Sequence, residues 1–128
     1  RAVNVPVVAA GGIADAEGIR AAMSLGAAGV QIGTSFLLCD ESNASSMHRE
    51  ALSGEMALHT CLTNVFTGRP ARGIVNRFIR EMGAITPLRA AAEKLASMDF
   101  SPLWAGQNTS GCQAISASEL TLKLAKGF

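Results

Sequence analysis

Two short apolar runs, each closed by glycine and separated by one helix-length segment, constrain this chain more than any other feature. Residues 5–10 form a Val/Ala-rich run ended by Gly11 and Gly12, and residues 29–32 form a second run ended by Gly33 and Thr34. A short Val-rich run without polar alternation predicts a parallel strand buried on both faces. Between the runs, Asp15 stands at a helix N-cap position. Ile19, Ala22 and Met23 follow at helical spacing, and Gly26 marks a C-terminal stop. The segment to Thr34 therefore predicts strand, helix, strand: one βαβ unit with a right-handed crossover, and hence a parallel sheet.

Parallel pairing puts both glycine turns at the C-terminal ends of neighbouring strands, on one rim of the sheet. A phosphate needs several N–H donors and an approach that no side chain blocks, and glycine turns after strands supply both. Thr34 or Ser35 adds a hydroxyl. In (β/α)8 barrels the loops after strands seven and eight commonly build such a site, with a short extra helix beside it. Residues 36–38, Phe-Leu-Leu, suit that helix. The competing explanation is that the glycines only permit tight turns. Two turns one βα unit apart favour the phosphate site. The spacing is not GxGxxG, which disfavours a dinucleotide on a Rossmann sheet.

Beyond residue 40 the pattern changes. Residues 45–58 predict a helix with Met47, Ala51, Leu52 and Leu58 on its core side, and residues 61–67 have extended character. Gly68-Arg69-Pro70 breaks any element. Residues 73–82 predict a helix with Ile74, Val75, Phe78, Ile79 and Met82 on one stripe. Pro87 can open another helix through residue 98, residues 100–112 are irregular, and residues 118–126 predict a closing helix. The expected organisation is an α/β portion over residues 1–40 and a mainly helical region over residues 41–128. A barrel needs about 250 residues and two strands cannot bury both faces of a sheet. The chain also starts at Arg1 and enters a strand almost at once. It is therefore expected to be the C-terminal portion of a (β/α)8 barrel, carrying its last two strands.

Composition narrows the function class. A formal net charge of +1 favours neither nucleic acid nor an anionic membrane, and no apolar run approaches the ~20 residues of a membrane span. Cys39, Cys61 and Cys112 are distant from one another, and no signal-peptide pattern precedes them. Reduced thiols in a cytoplasmic protein are expected, and no metal-ligand spacing is present.

The stretches PVVAAGGIAD at residues 6–15 and GAAGVQIGT at residues 26–34 closely resemble the nitronate monooxygenase family, formerly called 2-nitropropane dioxygenases. LTNVFTGRPARGIVN at residues 62–76 and FSPLWAGQ at residues 100–107 strengthen that resemblance. It implies an FMN-binding TIM barrel whose flavin is reduced by an alkyl nitronate and reoxidised by O2, giving a carbonyl compound and nitrite. Carried over by position, Gly11 and Gly12 face the FMN phosphate from one side. Gly33 and Thr34 face it from the other, with Gln31 close by, and Gly106 and Gln107 return towards the flavin. The family's catalytic His belongs to an earlier strand, before Arg1, so no catalytic residue is assigned within this chain. His48, in the polar stretch Ser-Met-His-Arg-Glu, is expected on a solvated helix face. His59 is expected at a helix end, where a cation suits the helix dipole.

Arg69 and Arg72 flank Pro70 as possible anion clamps or surface charges. Trp104 is expected to pack in a core or interface, with cover of a pocket beside the flavin as the alternative. Two other functions stay open. One is FMN-dependent reduction of an enoyl thioester or quinone by NAD(P)H. The other is a catalytically inert packing module.

Overall fold

A computed structural model describes residues 3–81, 94–95 and 97–128. Strand β1 (Val8–Ala10), helix α1 (Ala16–Ser24) and strand β2 (Gly29–Gln31) form the expected βαβ unit. The strands pair in parallel, with Val8 opposite Gly29, Ala9 opposite Val30 and Ala10 opposite Gln31. The Asp15 side chain caps α1, its Oδ1 accepting from the Gly18 amide at 2.8 Å. Gly26, at φ +92°, provides the left-handed exit after the helix, and its amide donates to Met23 O at 2.9 Å.

The unit forms, but β1 is not buried on both faces as the sequence suggests. Val5 and Val8 are 66% and 57% exposed. The reason is the number of strands: among the described residues, β1 pairs with β2 alone in a two-stranded sheet. An open apolar cleft of about 820 Å3, with Val5, Pro6, Val7, Ala22 and Leu25 in its lining, borders this bare surface.

After β2 the chain turns through a short 3-10 helix, Thr34–Leu38, in the place expected for one. Helix α2 (Ser46–Ser53) follows, with the Ser45 hydroxyl accepting from the His48 amide. Gly54 ends α2, and a 3-10 turn, Glu55–Leu58, resets the helical phase. Ala51 and Leu52 are buried as expected, whereas Leu58, beyond the reset, is 77% exposed.

The 41–128 region is less helical than expected. Strands β3 (Thr60–Thr63) and β4 (Ala71–Ile74) form an antiparallel hairpin, so Gly73 and Ile74 are not helical. The Ile74 amide donates to Leu103 O at 2.8 Å, and Gly73 bridges to Trp104. A Cβ on Gly73 would stand 3.1 Å from Leu103 O. An Ile-Val pair fits either periodicity, and pairing on both sides selects the strand. Helix α3 (Arg77–Glu81) starts only after Asn76, whose Oδ1 accepts from the Ile79 amide. Asn76 is itself buried and donates to Met98 O at 3.0 Å and Ser101 O at 2.8 Å. Met82 and the helix expected from Pro87 lie outside the described residues, apart from a 3-10 turn at Met98–Phe100.

Helix α4 (Ala117–Ala125) closes the chain one residue from the expected boundaries. The Glu41 carboxylate accepts from the Ala117 amide at 2.8 Å, which ties this helix back to the segment after β2. Two apolar clusters result. Ile19, Cys39, Leu120 and Leu124 join α1 to α4. Leu38, Ala51, Leu52, Ala57, Ile74, Leu103 and Ala105 join α2 to the hairpin and the later loop. Neighbouring residues Leu38 and Cys39 thus enter different clusters, so the Thr34–Leu38 helix is the hinge point between them.

Gly127 lies where the end of α4 meets α1. A Cβ there would press on Ala16 O and stand 2.7 Å from Ile19 Cβ. Gly127→Ala is expected to cost about 1–3 kcal/mol through overpacking. Gly54→Ala, whose Cβ would be 3.4 Å from its nearest neighbour, should stay within about 0.5 kcal/mol. Thermal melts of the two variants check this.

Candidate functional site

Because Ala10 and Gln31 are the last paired residues of parallel strands, Gly11-Gly12 and Gly33-Thr34 leave the sheet on the same rim. Gly11 and Gly12 have φ of +90° and +73°, values that favour glycine on backbone grounds alone. Gly33 is different. Its φ is −115°, and a Cβ there would meet nothing within 4 Å. Neither strain nor crowding within the chain accounts for glycine at this position. The approach to Gly11 and Gly12 is equally open. Among the described residues, no turn, loop or side-chain acceptor takes the amide hydrogens of Gly11, Gly12, Gly33 or Thr34. The rim therefore presents backbone donors across a space no side chain fills.

A third segment closes on this rim. The Gly106 amide donates to Thr34 Oγ1 at 2.7 Å, and a Cβ on Gly106 would stand 2.9 Å from that oxygen. Asn108 Nδ2 donates to Gly12 O at 3.3 Å. A Cβ on Gly111 would collide with Ala14 O and lie 2.6 Å from Ser35 Oγ. The Cys112 thiol donates to Thr34 O at 3.3 Å. Residues 106–112 thus bridge the two glycine turns, and Gly106 is held against Thr34. Gln31 and Gln107 are exposed at the same rim. Since the Thr34 hydroxyl accepts from Gly106, its own hydrogen is left to donate.

The rim's electrostatics are selective. The Asp15 carboxylate occupies the N-terminus of α1, so an anion must rely on the glycine-turn amides and the Thr34 hydroxyl rather than on that helix end. Burial is the main cause that pushes the Cys112 thiol up to about 11 and also raises Cys39, which disfavours the thiolate at both. The broad apolar cleft lies at the opposite end of the strands, by Pro6, Leu25 and Gly26. It is not part of this rim.

Other sequence candidates are placed elsewhere. Arg69 is exposed in the turn. Arg72, in β4, donates to Thr60 O at 3.3 Å and Thr60 Oγ1 at 3.2 Å, so strand pairing uses its guanidinium. Trp104 packs edge-on to Phe66 at 5.3 Å, and Phe78 and Phe100 extend that cluster. Asn108 was not singled out by the sequence. Its turn role, Oδ1 accepting from the Ser110 amide at 3.0 Å, follows from a polar Gln-Asn-Thr-Ser-Gly run, but its reach to Gly12 does not. His48 is not on a solvated face. It is half-buried, with Nε2 2.9 Å from Trp104 O, because α2 packs beside the loop that returns to the rim.

A sequence profile of the family described as Nitronate monooxygenase matches residues 1–127. The chain belongs to the nitronate monooxygenase family. The nitronate monooxygenase of Pseudomonas aeruginosa is 43% identical over 91% of this chain and 38% of its own length. A probable nitronate monooxygenase of Staphylococcus saprophyticus is 41% identical over 97% of the chain and 39% of its own. The solved nitroalkane oxidase of Streptomyces ansochromogenes superposes with a TM-score of 0.87 at 42% identity, covering 97% of this chain and 39% of that one. A FabK mutant from Thermotoga maritima gives 0.76 at 31% identity, covering 97% and 41%. The chain thus spans about two-fifths of the relatives it matches, and the α/β arrangement described above is shared with both solved structures.

Within this family member, His48 makes one pH dependence predictable. Burial lowers its pKa below the ordinary 6.5, partly opposed by the Trp104 carbonyl. The unfolded chain then takes up the proton first as pH falls. The stability His48 contributes is present above about pH 6.5 and is lost as pH drops through the lowered native value. Melting temperatures between pH 7 and 5 are expected to fall more steeply in the parent protein than in His48→Gln, which keeps a donor for Trp104 O but does not titrate. Equal slopes would remove His48 from the acid sensitivity.

Proposed function

We propose that the chain is the phosphate-gripping portion of an FMN-dependent enzyme that oxidises alkyl nitronates with O2 to a carbonyl compound and nitrite. In this reading β1 and β2 are the last two strands of a (β/α)8 barrel. Residues 1–40 form its rim, and residues 41–128 form a region packed on it. The amides of Gly11, Gly12 and Gly33 and the hydroxyl of Thr34 hold the FMN phosphate. Gly106 and Gln107 close over it, and Gln31 stands alongside. When bound, FMN would supply the redox chemistry between the nitronate and oxygen.

The observation that carries this reading is the open approach at Gly33, on the same rim as Gly11 and Gly12 and tied to residues 106–112. An oxyanion would meet there backbone amides that no turn, loop or side-chain acceptor takes among the described residues, one hydroxyl and no Cβ in the way. Burial pushes the Cys112 thiol up, Arg72 is engaged with Thr60, and His48 bonds the Trp104 carbonyl. The glycine-turn amides and the Thr34 hydroxyl would bind and orient, while the proton abstraction expected of a catalytic His is assigned to no residue here. Nitronate oxidation is preferred to NAD(P)H-dependent reduction because the nitroalkane oxidase resembles the chain more closely than FabK does in both identity and superposition.

Gly33→Val tests the reading in the intact protein. Its first side-chain atom meets nothing within 4 Å, so the melting temperature of the flavin-free protein is expected to hold. FMN content should fall by about tenfold or more, together with turnover of propionate-3-nitronate. A variant that retains parental FMN binding would sink the phosphate assignment. Vigorous NAD(P)H oxidation by the parent, with no nitronate turnover, would sink the proposed reaction.

A further inference from the structure

The short helix Thr34–Leu38 begins at the glycine rim and ends at Cys39, and it has no side-chain cap at its start. A 3-10 segment of this length has little stability of its own, and its last carbonyls lack partners inside the helix. Arg49, on α2, reaches this end, where Leu37 O and Leu38 O close the helix and Cys39 O also accepts from the Ser42 amide at 3.0 Å. Its Nη2 donates to Leu38 O at 2.7 Å, and its Nη1 donates to Cys39 O at 2.9 Å and Leu37 O at 3.4 Å. Three successive carbonyls therefore meet one guanidinium. The arginine fork can span them, whereas a lysine ammonium acts as a single point.

The neighbouring residue of α2 holds the other wall. His48 bonds Trp104 O, two residues before Gly106. The two walls meet where the Gly106 amide donates to Thr34 Oγ1. Consecutive residues of one helix thus grip both segments that close the rim, each from the side away from the open space.

We propose that Arg49 is a positioning residue for the FMN phosphate. By fixing the distal end of the Thr34–Leu38 helix, it sets the direction of the Thr34 hydroxyl and of the amides at Gly33 and Thr34. The inference rests on the phosphate assignment above and adds a residue that does not touch the ligand. Its effect should fall first on the phosphate, because the Gly33 and Thr34 donors assigned to the phosphate stand at the start of this helix.

The test compares FMN with riboflavin, which lacks the phosphate, on intact protein freed of flavin. Parent, Arg49→Lys and Arg49→Met are titrated with both. The parent is expected to prefer FMN strongly. In Arg49→Met the FMN Kd should rise by about tenfold while the riboflavin Kd stays within about twofold. Arg49→Lys should fall between, since a lysine reaches fewer of the carbonyls. If Arg49→Met does not fold, the lysine variant carries the comparison. If riboflavin binds too weakly to titrate, the phosphorus NMR resonance of bound FMN is read instead and should move in the lysine variant. An unchanged FMN-to-riboflavin ratio in the variants, or an unmoved resonance where that is the readout, overturns the role of Arg49. That holds even where both affinities drop together, because Arg49 would then be merely structural. A parent that binds both flavins equally overturns the phosphate assignment itself, and the role of Arg49 with it.

Discussion

The parallel pairing of β1 with β2 is the constraint on which the candidate site depends. With Ala10 opposite Gln31, the chain must leave both strands on the same side, and the two glycine turns face a common space. An antiparallel pair would send them to opposite ends. Parallel pairing demands a crossover, which α1 supplies with its Asp15 cap and Gly26 exit. It also leaves β1 with one neighbour, so Val5 and Val8 stay uncovered. The site and the bare apolar surface thus have one origin, and they lie at opposite ends of the same strands.

Around that pairing, the proposed anion site is built from backbone rather than from charged side chains. Asp15 places a negative charge at the start of α1, Arg72 is spent on Thr60, and Arg49 faces carbonyl oxygens. Backbone donors discriminate by geometry: they must converge on the ligand's oxygens, and they cannot follow it by changing rotamer. Such a site depends on whatever holds the backbone still. Here that support comes from residues 106–112, through Gly106, Asn108 and Cys112, and from the grip of α2. The two apolar clusters meet at Leu38 and Cys39, directly behind the Thr34–Leu38 helix.

Much of this was legible in the sequence, and the legible part has a common character. The strands, α1, the short helix after β2 and α4 follow from local apolar patterns and turn residues. The Asp15 cap involves a partner three residues away. The placement of Gly11, Gly12, Gly33 and Thr34 at one rim was legible too, because a βαβ unit runs its two strands in parallel. The helix expected over residues 73–82, which starts only at Arg77, shows the limit. Ile74 fits a helical stripe as well as a strand, and the hydrogen bonds that decide the matter come from β3 and from Leu103.

What only the tertiary structure decided are the contacts between distant residues. Asn108 reaches Gly12 across 96 positions, Gly106 reaches Thr34 across 72, and His48 reaches Trp104 across 56. No local preference encodes such pairs. They form because packing the two clusters brings those segments together and leaves their polar groups in need of partners. The sequence alone determined that two glycine turns would face one space. The fold decided what closes that space and what stiffens it, since closure and stiffness come from burying apolar surface far along the chain.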